Sequence, residues 1–163
     1  MIPYDKREGK IWYNGDLVEW QDAKLHVISH GLHYASLVFE GLRVYDGEIF
    51  KLEEHTDRLY HSAKRMDMTI PYTKDEINKA CNQIIKIQKV QNGYVRPFAW
   101  RGGKLMGLST TNSDIHVSIA VWDDWTTYYK LEDMMHGLTL ITSPWKGLRL
   151  ILFLSKPKHL DLT

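Results

Sequence analysis

The sequence predicts an α+β fold in which two adjacent helices pack on a mostly antiparallel sheet. Three observations carry that expectation. Short β-branched and aromatic runs are joined by Asn14-Gly15 and Asp46-Gly47, dipeptides that tolerate the positive φ of tight hairpin turns. Two stretches of helical period stand next to one another in the middle of the chain. Strand-like runs then return after the second of them.

Taken in order, residues 11–13 and 17–20 flank Asn14-Gly15 and form a first hairpin, and residues 25–29 read as another short strand. Residues 37–39 and 42–45 lead through Asp46-Gly47 into residues 49–52, a second hairpin. From Glu53 to Met66 the period becomes helical, with Leu52, His55, Leu59, Ala63 and Met66 on one stripe. Pro71 closes that region. Thr73 to Glu76 has the spacing of a capping box, which opens a second helix that buries Ile77, Cys81, Ile84, Ile85 and Val90 and stops at Asn92-Gly93. Residues 94–100, 115–122 and 138–142 read as three further strands.

Composition sets the outer bounds. The chain has 163 residues, 44% hydrophobic, 25% charged and 12% aromatic, an ordinary globular balance that suits one domain with its own core. With 21 Lys and Arg against 20 Asp and Glu, nothing points to nucleic acid or another polyanion as partner. No apolar run approaches the roughly 18 residues of a membrane span, and the first ten residues are polar and charged, so a cytoplasmic protein with no membrane partner is expected. Cys81 is the single cysteine, which excludes an internal disulfide; on an apolar helix stripe it reads as a small core hydrophobe rather than a nucleophile. The histidines show no H-E-x-x-H pattern, there is no paired C-x-x-C, and no metal site is expected. Gly102-Gly103 has no phosphate-loop context.

Chemistry enters with a series of short motifs. His30-Gly31-Leu32-His33-Tyr34 is followed by Val38-Phe39-Glu40-Gly41-Leu42-Arg43-Val44-Tyr45, then by His55-Thr56-Asp57-Arg58-Leu59, Tyr94-Val95-Arg96-Pro97 and Met106-Gly107-Leu108. In this order and spacing they resemble the class IV aminotransferases, pyridoxal 5'-phosphate enzymes of fold type IV, and within them the branched-chain amino acid aminotransferases. The resemblance covers about residues 9–146. It implies the small N-terminal α+β domain of that fold over residues 1–135, then an interdomain connection leading into a large domain over residues 136–146.

Site residues follow from the resemblance one by one. Arg58 sits beside the core stripe of its helix; composition alone makes it a solvated arginine, whereas the resemblance implies a partner for the cofactor phosphate, a task suited to a permanent multi-donor cation. Arg96 lies in an apolar, aromatic strand and needs a partner there. That partner is a structural ion pair on one reading and, by resemblance, a substrate carboxylate received with the help of Tyr94. Strand alternation points Phe39, Gly41 and Arg43 to one face. Core packing and backbone room explain the first two without function; the resemblance sets them beside the substrate side chain, with Arg43 near its carboxylate end. Tyr34 and Leu108 resemble positions that reach into a neighbouring subunit's pocket, which implies a homo-oligomer, a dimer or higher, and Tyr128 resembles a pocket tyrosine. Phe, Tyr and Leu walls suit the aliphatic side chains of Leu, Ile and Val.

The tail departs from the family pattern. After Ser143-Pro144-Trp145-Lys146, the family continues with R-x-A-P-N-T-x-P and a K-A-x-G segment holding the catalytic lysine, whereas this chain reads GLRLILFLSKPKHLDLT. Reading each back-translated codon one base earlier permits R-P-A-P-N-T-F-P and then V-Q-T-K-A-S-G. A frameshifted tail over residues 147–163, with the large domain missing, is therefore expected, beside the simpler reading of a divergent natural tail. Lys158 stands thirteen residues after Trp145, the family's lysine spacing, between Pro157 and His159 rather than in the family's context.

Two functions of different class follow. One is a transferase that exchanges the amino group of a branched-chain amino acid with 2-oxoglutarate on pyridoxal phosphate, the chain as written being inactive by itself. The other is a non-catalytic N-terminal domain. A D-amino acid aminotransferase or an aminodeoxychorismate lyase is a third, less well matched by Phe39-Glu40-Gly41-x-Arg43 and Tyr94-x-Arg96-Pro97.

Overall fold

Asn14 and Gly15 turn the chain at φ of 50° and 101°, and Asp46 and Gly47 do so at 48° and 80°. Both turns therefore take the mirror-image form that matches the twist of paired strands. The first joins β1 (Lys10–Tyr13) to β2 (Asp16–Glu19), and the second joins β4 (Leu42–Tyr45) to a two-residue β5 (Glu48–Ile49). Between them lie a five-residue helix, α1 (His30–Tyr34), and β3 (Leu37–Phe39). Two fourteen-residue helices follow, α2 (Leu52–Arg65) and α3 (Lys74–Ile87), and then the long strands β6 (Gly93–Arg101) and β7 (Ile115–Trp122). This computed structural model describes residues 2–103, 108–110, 113–123, 135–137 and 139–142.

The strands form one antiparallel sheet in the order β2-β1-β7-β6-β4-β5, with β3 also paired to β6. No parallel βαβ unit interrupts it among the described residues. One face is covered by the helices. Trp12, Val38, Leu42, Val44, Val95, Ala99, Val117, Ile119 and Val121 from the strands meet Leu59, Ala63, Ile77, Ile84 and Ile85 from the helices in a single core. The fold is thus the expected small α+β domain.

Helix boundaries have local causes. Thr73 Oγ1 accepts from the Glu76 backbone N–H while the Glu76 carboxylate accepts from the Thr73 N–H, so the capping box forms as read. On α2 the buried residues are Leu52, Thr56, Leu59 and Ala63. Two members of the expected stripe leave it: His55 is half-buried against a carboxylate, and Met66 is exposed just past the last turn. α3 ends at Ile87, short of the expected Asn92-Gly93 stop. The left-handed Lys89, at φ 54°, turns the chain so that Val90 is buried beyond the helix rather than on it. Cys81 is fully buried and its thiol pKa is pushed up to about 12 by burial, as befits a core hydrophobe.

Three strand expectations are corrected. Residues 25–29 form no strand; they are an exposed loop that leads into α1, with no neighbouring strand among the described residues to accept their backbone. Of residues 138–142, residues 139–142 are described and form none either, and every one is exposed. Residues 50–52 leave the second hairpin early, because Lys51 adopts φ 53° and Leu52 opens α2. In the first two cases a short apolar run has no paired strand among the described residues, whereas in the third the backbone turns out of a pairing that Phe50 still makes with Arg43.

The chain divides into two units, Met1–Lys130 and Leu131–Thr163; the sheet and helices belong to the first. None of the described helices is long and apolar enough to cross a membrane. If Leu59 is a core residue and Thr73 a cap, Leu59→Ala should lower unfolding free energy by about 2–5 kcal/mol and Thr73→Ala by about 0.5–2 kcal/mol. Denaturant unfolding of both variants measures the ranking, and an equal or reversed order would contradict these placements.

Candidate functional site

β3 and β4 both pair with β6, and they do so in one register that sets Glu40 opposite Pro97 and Gly41 opposite Arg96. In an antiparallel hydrogen-bonded pair, each residue gives an N–H and receives one. The Glu40 N–H donates to the Pro97 carbonyl at 2.9 Å, but proline has no N–H to return. The ladder therefore breaks between Phe39 and Leu42, leaving a corner at Glu40-Gly41. The candidate site is built on the two sides of this corner.

On the helix side, the Glu40 side chain is only 4% exposed. Arg58 reaches it from α2, donating from Nε to Oε1 at 2.6 Å and from Nη2 to Oε2 at 2.7 Å. His55, one turn earlier, places Nδ1 2.8 Å from Oε2. Burial by itself would raise the Glu40 carboxyl pKa; the hydrogen bonds and charges of Arg58 and His55 outweigh it and hold the group below the ordinary carboxylate value. The same hydrogen bond and charge from Glu40 raise the Arg58 pKa. The outer edge of Arg58 stays in solvent, its side chain 65% exposed, and it lines a surface groove of about 630 Å³ along α2 of mixed charge, with Lys64 and Lys74 beside Glu54 and Asp57 and with Lys74 paired to Asp57.

On the opposite face, alternation brings Phe39 across from Phe98 and Arg43 across from Tyr94. Arg96 lies among aromatic rings, its guanidinium 4.9 Å from the centroid of Phe39, 5.3 Å from Tyr94 and 5.6 Å from Trp122. Its Nη2 donates to the Tyr94 hydroxyl at 3.3 Å, while its Nε is buried with no hydrogen-bond partner among the described residues. Arg43 places its guanidinium 5.1 Å from the Tyr45 ring. A β-carbon at residue 41 would collide with the Tyr94 hydroxyl, so only glycine lets Tyr94 lie over the corner.

Sequence-derived candidates thus fall into groups. Phe39, Gly41, Arg43, Tyr94 and Arg96 share one face, and Arg58 stands across the corner from them. Tyr34 on α1 and Leu108 are both exposed, and His30 lies between them: its ring is 4.6 Å from that of Tyr34, and its Nε2 faces the Leu108 carbonyl at 3.5 Å. Tyr128 and Lys158 lie outside the described residues. Sequence reasoning assigns no role to Glu40 or His30 and takes His55 for core. The usable signal is the spacing of His55 and Arg58, which sets two cationic or donor groups on one helix face with a carboxylate available between Phe39 and Gly41.

Comparison with known proteins matches the geometry to a family. The family model described as "Amino-transferase class IV" matches residues 37–147. The chain is 44% identical over 141 residues to a branched-chain-amino-acid aminotransferase of Pseudomonas aeruginosa, covering 84% of this chain and 46% of that protein. Among solved structures, the Escherichia coli branched-chain amino acid aminotransferase superposes with a TM-score of 0.68 at 37% identity, over 71% of this chain and 40% of that one. A T.th. branched-chain amino acid aminotransferase, solved with pyridoxamine 5'-phosphate, does so with a TM-score of 0.72 at 37% identity, over 78% and 43%. The chain spans just under half the length of the curated relatives it matches.

A carboxylate held below its ordinary pKa stabilises the fold above that ordinary value, 4.5, and loses the contribution as pH falls through the lowered one. Thermal unfolding of wild type and Glu40→Gln should therefore differ most at neutral pH and converge on acidification. A constant difference across that range would show that the Glu40 ion cluster does not form.

Proposed function

The chain belongs to the class IV aminotransferase family, and we propose on that premise that it is the small N-terminal domain of a branched-chain amino acid aminotransferase, moving the amino group of Leu, Ile or Val to 2-oxoglutarate with pyridoxal 5'-phosphate. Residues 1–135 would be that domain, residues 136–146 the connection towards a large domain, and the setting cytoplasmic. One observation supports this reading above others. Two arginines flank a single backbone corner, one with a solvent-facing edge and one with a buried donor that no described residue accepts. Arg58 on the helix side is open to a phosphate, and Arg96 on the opposite face is the cation available to a carboxylate.

The residues fit the cofactor. Arg58 spends two of its five N–H groups on Glu40 and keeps three for a phosphate. When bound, pyridoxal phosphate supplies the electron sink that lets a proton leave the amino acid's α-carbon. This chain's residues bind and orient around it. Arg96 is the cation proposed to meet a substrate carboxylate, and Arg43 adds positive charge on the same face. Phe39 and Tyr94 form apolar walls for an aliphatic side chain, and Gly41 keeps the corner low enough for Tyr94 to cross it. Lys158 has the spacing of the family's lysine but lies between Pro157 and His159 rather than in the family's context, and the chain as written is expected to show no transamination by itself.

Tyr34 and Leu108 belong in this reading to a neighbour's pocket, which calls for a homo-oligomer. Exposed Val27, Leu32, Tyr34 and Leu37 on the loop, α1 and the start of β3 support it, since apolar side chains grouped in sequence on a surface favour association. Sedimentation of the 163-residue chain across concentration should show self-association; monomer throughout would count against the shared pocket.

The arginine roles separate experimentally. In a complete enzyme carrying this sequence, Arg58→Ala should strip cofactor at limiting pyridoxal phosphate while leaving the substrate KM of the reloaded protein little changed. Arg96→Ala should retain cofactor and raise the amino-acid KM by about 10- to 100-fold, the value of a charged hydrogen bond. Equal cofactor occupancy in wild type and Arg58→Ala would reject the phosphate role.

A further inference from the structure

We propose that Glu40 is a positioning residue: its buried carboxylate grips the inner edge of the Arg58 guanidinium and so presents the remaining N–H groups outward to a phosphate. This inference rests on the reading of Arg58 as the phosphate partner. It adds a residue that touches neither cofactor nor substrate.

The argument is geometric. An arginine on an exposed helix face samples many rotamers, and ordering it for one contact costs conformational entropy. Here the cost is met before any ligand arrives, because Nε and Nη2 each hold a different oxygen of one carboxylate, at 2.6 and 2.7 Å. A two-point grip fixes the plane of the guanidinium as well as its position. Glu40 is itself fixed. Its backbone N–H is anchored to Pro97, its side chain is 4% exposed, and His55 takes a share of Oε2 at 2.8 Å. The edge left over, Nη1 with one N–H of Nη2, is the fork that suits a phosphate.

An opposing effect has to be weighed. Glu40 is an anion near a proposed anion site, so its removal also lifts a repulsion. Glu40→Asp keeps that charge and shortens the grip, so it retains the repulsion while weakening the positioning, which allows the two to be told apart.

The test uses the 163-residue chain labelled with ¹⁵N, following the guanidinium N–H resonances of Arg58. Inorganic phosphate is the first probe, and pyridoxal phosphate is compared with pyridoxal. Phosphate and pyridoxal phosphate should shift the Arg58 signals, and pyridoxal should not. Glu40→Gln should weaken the phosphate response about tenfold, less than the full rotamer freedom of arginine allows, and should remove the protected Nε–H signal. Glu40→Asp, which keeps the charge but shortens the reach, should fall between the two and guards against a fold defect in the Gln variant. In an Arg58→Ala background, with phosphate binding followed by the backbone amide shifts of α2, Glu40→Gln should change nothing further. Unchanged or tighter phosphate binding in both Glu40 variants overturns the positioning role while leaving Arg58 as the phosphate partner. Phosphate binding that survives Arg58→Ala, or no phosphate response in wild type, overturns the reading of Arg58 and the inference with it.

Discussion

Pro97 is the constraint on which the site depends. It sits inside β6, between β7 on one side and the β3–β4 line on the other, where a proline is normally excluded because the sheet needs its N–H. The missing donor falls opposite Glu40. Had residue 97 carried an N–H, residues 37–45 could have formed one uninterrupted strand, since β3 and β4 share a register on β6. The broken pair leaves a gap in the ladder, while strand alternation carries across it and gives three consecutive residues three tasks. Phe39 faces the aromatic side, Glu40 turns in towards the helices, and Gly41 clears space for Tyr94.

The two faces of the sheet then do different work. Helices α2 and α3 cover one face with aliphatic side chains and supply the stability of the domain. The other face carries Arg43, Tyr94, Arg96, Phe39 and Phe98 around the corner, a composition that hydrophobic burial alone does not explain. Arg96 is the telling member. A buried donor without a partner costs about 1–3 kcal/mol, and Arg96 Nε shares that condition with Trp122 Nε1 among the described residues. The aromatic rings around it lower the penalty through their negative faces without satisfying Nε.

Much of this is legible in the sequence, and the rest is hidden for physical reasons. Asn14-Gly15, Asp46-Gly47 and the Thr73–Glu76 box are local chemistry, so their turns and cap form as read. Residues 25–29 and 139–142 mislead because an apolar run becomes a strand only when another strand borders it, which no local pattern reveals. His55 misleads for a related reason: at helical spacing it lies near the core stripe, and only the fold shows that a carboxylate waits there. Glu40 is hardest to see. Within an alternating strand a glutamate between Phe39 and Gly41 reads as the solvent-facing residue, whereas here the solvent-facing and buried sides are exchanged, because the helices lie on the Glu40 side.

The choice of arginine and glutamate across the corner follows from counting donors. A lysine at residue 58 could meet the Glu40 carboxylate, but its ammonium has no plane to fix, and a contact with Glu40 would not orient a second one outward. A neutral glutamine at residue 40 could accept from Nε with its oxygen, yet its amide nitrogen would then face Arg58 Nη2 and His55 Nδ1, placing donor against donor or forcing His55 to turn. Only a carboxylate accepts from both guanidinium nitrogens and the imidazole at once. The burial that should have made this charge costly is offset by those three bonds, which is why Glu40 stays ionised inside the corner while Arg58 keeps its other edge in solvent. A cation tied down on its inner side and open on its outer side is preorganised for a second anion, and strand alternation, which turns Val38, Glu40, Leu42 and Val44 to the helix face, is what brings the glutamate inward to tie it.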